Sequence, residues 1–105
     1  MIDIKRSERA GQSERAILVG VILPDHDLLG DDPLDEIRGL AETAGLDVVG
    51  TMLQKRQQVD IATYIGSGKV LELKDLVQAH EADVVVFDND LGPAQTPNLE
   101  KAIQG

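Results

Sequence analysis

AILVGVIL, Ala16 to Leu23, decides the fold. This unbroken apolar run, rich in valine and isoleucine, reads as a strand buried on both faces, because a one-faced strand would alternate apolar with polar. Pro24 ends it. Two further runs carry the same character: LDVVGTML, Leu46 to Leu53, and ADVVVF, Ala82 to Phe87. The stretches between them have helical spacing. Leu34, Ile37, Leu40, Ala41 and Ala44 share one helical face, with Asp32 placed to cap that helix, Pro33 at its first position and Gly45 at its stop. Ser67 or Gly68 opens a second helix that turns Val70, Leu73, Leu76, Val77 and His80 inward. Pro97 is tolerated only near a helix start, so Thr96 is expected to cap a short last helix burying Leu99, Ala102 and Ile103.

The order β-α-β-α-β-α calls for right-handed crossovers and a small three-layer α/β domain with a parallel sheet, the second strand beside the first and the first beside the third, order 2-1-3. A fourth strand would be expected where the chain stops. The third strand would then have an open apolar edge, a template for self-association. Residues 1–13 show no periodicity and are expected to form a disordered leader, with the domain over 14–105.

The chain has 105 residues, enough for one modest core, and that core must be aliphatic because there is one Phe, one Tyr and no Trp. Without cysteine, no disulfide, zinc-thiolate centre or thiol nucleophile can form. No apolar run is long enough to span a bilayer, and the N-terminus is too polar for a signal peptide. A net charge of −9 repels phosphate backbones and disfavours autonomous DNA or RNA binding. Local basic residues, Lys55 with Arg56 and then Lys69 and Lys74, stand apart from that balance.

TYIGSGKVLEL, Thr63 to Leu73, has the look of a phosphate-binding loop but departs from GxxxxGK[ST]: Gly66 and Gly68 are too close, and Val70 has no hydroxyl for magnesium. Two readings of Gly66, Ser67, Gly68 and Lys69 stand side by side. One is an anion contact at a helix start; the other is a tight turn with Lys69 in solvent. Gly68 is expected to need a small residue, for positive φ or for close approach of a partner. The long connection Gln54 to Ile65 is either a contact surface using Lys55, Arg56, Gln57, Gln58 and Tyr64 or a mobile polar excursion. Asp25, His26, Asp27, Asp31 and Asp32 have neither EF-hand spacing nor a second histidine, so a solvated loop competes with a metal site. Asp88, Asn89 and Asp90 follow the third strand, where ligands of open parallel sheets collect; a receiver-like phosphoacceptor competes there with a turn that binds its own backbone.

Five segments together carry a resemblance: ERAILVGV (Glu14 to Val21), DPLDEIRGLAETAG (Asp32 to Gly45), VVGTMLQKR (Val48 to Arg56), TYIGSGKVLELKDLV (Thr63 to Val77) and FDNDLGPAQTPNLEKAI (Phe87 to Ile103). The chain resembles the N-terminal domain of HflX-type GTPases, truncated before the fourth strand, the helical hairpin and the GTPase domain. The resemblance implies a cytoplasmic, stress-related accessory module that helps its parent protein engage the large ribosomal subunit, with Lys55, Arg56, Tyr64, Gly66, Ser67, Gly68 and Lys69 as candidate contacts. It implies no catalysis and no cofactor in this chain, since GTP and magnesium belong to the parent family's GTPase domain. Pro97 departs from the family, which usually has a polar or basic residue there. Outside this family, the remaining reading is a small nucleotide-binding domain using the GSGK turn.

Overall fold

The computed structural model describes residues 2–3, 13–24 and 33–104. Strand β1 is Ile2–Asp3, β2 Arg15–Ile22, α1 Asp35–Thr43, β3 Asp47–Lys55, α2 Ser67–His80, β4 Val84–Phe87 and α3 Gln95–Gln104. They form a four-stranded sheet in the order β1-β4-β2-β3. Strands β3 and β4 both run parallel to the central β2, which is the expected 2-1-3 arrangement of the three long strands. The continuous apolar run follows from this position: Ala16 to Val19 are fully buried because β2 is covered on both faces and hydrogen-bonded on both sides.

The outermost strand is a correction. Ile2 and Asp3 fall within the expected leader, yet they pair antiparallel with Val85 and Val84, and Ile2 is fully buried. The edge of β4 is thereby occupied at those two residues, where an open edge was expected. Residues 1 and 4–12 of that leader lie outside the described residues.

Two unequal cores flank the sheet. Alternation along β2 sends Ile17, Val19 and Val21 to one face, where they meet Val70, Leu73 and Val77 of α2 and Leu99 and Ile103 of α3. The opposite core is smaller: Leu18, Leu34 and Ala41, with Ile37, Leu46, Val48 and Val86 packed against it. Leu40, expected to be buried, is 65% exposed, and Ala44 is exposed too; His80 of α2 also lies at the surface.

Several boundaries move for local reasons. Helix α1 starts at Asp35 with Leu34 as its N-cap and no side-chain cap, so Pro33 precedes the helix and Asp32 lies outside the described residues. Gly45 ends it as expected, at φ +86°. Strand β3 runs on to Lys55, pulled by pairing with Val21 and Ile22, with a bulge where Ala16 pairs with Val48 and Ile17 with Gly50. Strand β4 starts at Val84, later than Ala82. Helix α3 starts at Gln95 rather than after a Thr96 cap. Gln95 Oε1 accepts from Gly92 N at 2.7 Å, and Pro97 sits in the first turn, where its missing N–H has no helical acceptor to lose.

Candidate functional site

The carboxyl ends of the three parallel strands meet the connection between β3 and α2. That connection is held by a set of hydrogen bonds within itself and from α3. Asp60 Oδ1 accepts from Ala62 N at 2.8 Å and Thr63 N at 3.0 Å, closing a tight turn. Asp60 and Tyr64 exchange both backbone hydrogen bonds, at 3.0 and 2.9 Å. From the far side, Gln95 Nε2 donates to Asp60 O at 2.7 Å and Asn98 Nδ2 to Ala62 O at 3.0 Å. The two turn amides hold the Asp60 carboxyl below its ordinary range, because they stabilise its charged form. Ile61, at the tip, is 87% exposed.

Tyr64 is not the surface contact expected of it. It is buried, with φ +66°, and its ring stands edge-on to Phe87 with centroids 5.7 Å apart. Its hydroxyl donates to Asp88 Oδ1 at 2.8 Å and accepts from Asn89 Nδ2 at 3.2 Å. Burial pushes the phenol up to about 12, aided by the adjacent Asp88 carboxylate and opposed by the Asn89 hydrogen bond. The other oxygen of Asp88, Oδ2, accepts from Val21 N at 3.3 Å. Asp88 therefore joins β2, β4 and the loop. The reading of Asp88 as bonding its own turn does not fit this arrangement, because the carboxylate reaches other elements instead. Asp25 and Asp27, its would-be partners in a receiver-like site, lie outside the described residues, as do His26, Asp31 and Asp32. Among the described residues, no group of three or more His, Cys, Asp and Glu could hold a metal ion.

The GSGK turn adjoins the loop. Gly66 is the N-cap of α2, and its N–H is bonded to Gln54 Oε1 at 2.9 Å. Arg56 lies against the same turn: a Cβ added at Gly66 would stand 2.5 Å from its Nη1. Arg56 Nε also donates to Gln58 O at 2.9 Å, and Lys69 pairs with Glu72 at 2.8 Å. Ser67 and Gly68 are exposed. Gly68 has neither a positive φ nor any atom within 4 Å of an added Cβ, so the expected positive φ is corrected and nothing within the chain demands a small residue there; the crowded glycine is Gly66. Of the seven candidates, Arg56, Gly66, Ser67, Gly68 and Lys69 thus gather near the start of α2, Tyr64 lies in the interior, and Lys55 is the exposed last residue of β3.

Four residues of this region were not singled out from the sequence: Gln54, Asp60, Gln95 and Asn98. Asp60 followed by Thr63 carries a turn signal. The other three act over 12 to 36 positions and leave no local mark.

Fold and site define a small doubly wound α/β domain whose sheet end is built from loop-holding side chains. The sequence model of the family described as GTP-binding GTPase N-terminal matches residues 31–105, and the chain belongs to this family. It is similar to the GTPase HflX of Caldanaerobacter subterraneus subsp. tengcongensis, 42% identical over 96 residues, or 91% of this chain and 22% of that protein. It is also similar to the GTPase HflX of Alkalihalophilus pseudofirmus, 41% identical over 94% of this chain and 22% of that protein. The Escherichia coli K12 GTPase HflX is 33% identical over 90% and 22%, respectively. The chain thus spans 22% of the length of these three relatives. No helix among the described residues is long and apolar enough to cross a membrane.

Proposed function

We propose that this domain is an accessory interaction module of an HflX-type GTPase, that it contributes to binding of the large ribosomal subunit in the cytoplasm, and that it is not itself an enzyme. One observation carries the reading. In a chain of net charge −9, Arg56 lies against Gly66, the N-cap of α2, and Lys69 belongs to the first turn of that helix, beside a loop hydrogen-bonded from α3. A fixed loop loses little entropy on binding, and a basic corner on an acidic domain favours one orientation toward a polyanion. Such a corner gives weak affinity alone, so most of the binding energy belongs to the rest of the longer protein.

The test is sedimentation of the purified chain with isolated large and small ribosomal subunits, with Arg56→Glu and Lys69→Glu variants alongside. Weak, salt-sensitive binding to the large subunit that both substitutions reduce supports the proposal. Equal binding to both subunits, or binding indifferent to the substitutions, refutes it. A nucleotide-binding role for the GSGK turn is disfavoured by the occupied Gly66 N–H and by the Lys69–Glu72 pair. A nucleotide present at about 100 times its Kd would stabilise the domain by roughly 2.7 kcal/mol, so unchanged melting in millimolar ATP or GTP is the expected result.

A further inference from the structure

Strand β3 is the other outer strand of the sheet, nine residues long and paired with β2 alone among the described residues. A free edge of this length is a template for a further strand. Its backbone directions follow from two hydrogen bonds. Asp47 N donates to Glu14 O at 2.9 Å and Arg56 N to Ile22 O at 3.0 Å, so both positions turn their backbone groups toward the β2 side. These directions alternate along a strand. Counting back from Arg56, the groups of Lys55, Leu53 and Thr51 face outward; counting on from Asp47, those of Val48 do. The two counts are reconciled by the bulge, where Ala16 pairs with Val48, Ile17 with Gly50, and Val49 is passed over. The side chains at this edge share the α1 face: Thr51 lies beside Leu18, Leu53 against Gly20 and Leu34, and Val48 on the core of Leu18. Thr51 and Leu53 are exposed and Val48 is half-buried.

We infer that this edge pairs antiparallel with the same edge of a second copy, about a two-fold axis through Thr51. The edge is complementary to itself. With Thr51 opposite its counterpart and the bulge taking one place, Leu53 of each copy stands opposite Val48 of the other. Outward backbone groups then meet outward backbone groups at the Thr51 pair and at both Leu53–Val48 pairs, where both hydrogen bonds are exchanged. The apolar pairs lie on the α1 face, so each copy covers the other's exposed Leu53 and extends the smaller core. The charges agree with this direction. In a parallel pair in register Lys55 would oppose Lys55, whereas the antiparallel pair carries it to the end of the partner strand that holds Asp47. The net charge of −9 on each copy works against association, and so does the short paired stretch. The contact falls below the ~1,200–2,000 Å² of a stable interface, and the dimer is a weak one that salt strengthens by screening. It uses the sheet edge and not the start of α2, so it does not rest on the ribosome reading.

Sedimentation equilibrium of the 105-residue chain, over dilutions up to about 1 mM and in low and moderate salt, reads the mass. The mass should climb toward that of a dimer, more steeply in the higher salt. Backbone amide signals of Val48, Thr51, Leu53 and Lys55 should shift with concentration, while those of Val84 and Val85, on the β1 side of the sheet, stay in place. Thr51→Lys and Thr51→Glu each set like charges opposite one another on the axis and should weaken association about fivefold or more. Mixed in equal amounts, the two variants should pair with each other and recover it, since lysine then faces glutamate. Thr51 is exposed, so melting of either dilute variant stays that of the parent and separates loss of pairing from loss of the fold. A parent that remains monomeric at about 1 mM in both salts would overturn the inference. So would variants that associate as well as the parent, a mixture no tighter than either variant alone, or shifts confined to Val84 and Val85.

Discussion

Replacing Tyr64 by phenylalanine tests the architecture of the sheet end at one atom. The ring keeps its edge-on contact with Phe87, while the 2.8 Å hydrogen bond to Asp88 Oδ1 is lost. A hydrogen bond to a charged acceptor contributes about 1.5–3 kcal/mol. Asp88 is only half-buried, so water can reach the abandoned oxygen, and the low end applies, about 1.5 kcal/mol. For a domain of this size that lowers Tm by roughly 6–12 °C. The pH dependence gives a second signature. Tyr64 is pushed from its ordinary 10.0 up to about 12 in the folded state. The folded protein holds that proton more tightly than the unfolded chain does. The resulting stabilisation is complete below about pH 10 and is lost as pH rises toward about 12, at most about 2–3 kcal/mol for a shift of this size. Urea melts followed by far-ultraviolet circular dichroism at neutral pH, at about pH 10 and at about pH 11.5 measure both effects. The parent's advantage over the Tyr64→Phe variant should shrink or reverse across the last interval. Because Tyr64 is the only tyrosine, phenolate absorbance reads its titration directly. Native titration near the ordinary 10.0, with Tyr64→Phe as stable as the parent, would refute the buried network.

Asp60→Ala removes the acceptor of two turn amides and should cost about 1–2 kcal/mol, measurable by urea melts. Because the folded carboxyl is held low, its contribution is present above the ordinary carboxylate range and fades as pH falls through the folded value; Asp60→Ala should lack that component. Gly68→Ala should stabilise by about 0.5–1 kcal/mol, since alanine favours the helix and meets nothing within 4 Å, whereas Gly45→Ala should destabilise by about 1 kcal/mol at φ +86°. Thermal melts of the pair decide the assignment of the two glycines. Ile2→Lys should both lower Tm and raise the average mass in light scattering, because it disturbs the only partner described on the outer edge of β4; a stable, monomeric variant would show that β1 does not guard that edge.

What could be read from the sequence follows the range of the interactions. The three long strands were legible because burial on both faces writes an unbroken apolar run into the chain itself. The inward positions Val70, Leu73 and Val77 were legible from helical spacing, as were Leu99 and Ile103. Leu40 has the same spacing and lies outside, since periodicity shows which face is apolar and not whether a neighbour covers it. Tyr64 misled because its flanks are loop-like, while the partner that draws its hydroxyl inward lies 24 positions away. Strand β1 has two residues, too few to show any period, and exists through pairing with Val84 and Val85. The start of α3 was missed by two residues because Gln95 uses its side chain to bond Gly92 N, a role composition does not reveal.

The loop between β3 and α2 is clamped at two levels: Asp60 and Ala62 to α3 through Gln95 and Asn98, and Tyr64 to the end of β4 through Asp88. A push on Ile61 at the tip is passed to the start of α3 and, through Asp88 and Val21 N, to the centre of the sheet. The loop thus behaves as a lever arm, and whatever it presses against meets the stiffness of the whole domain.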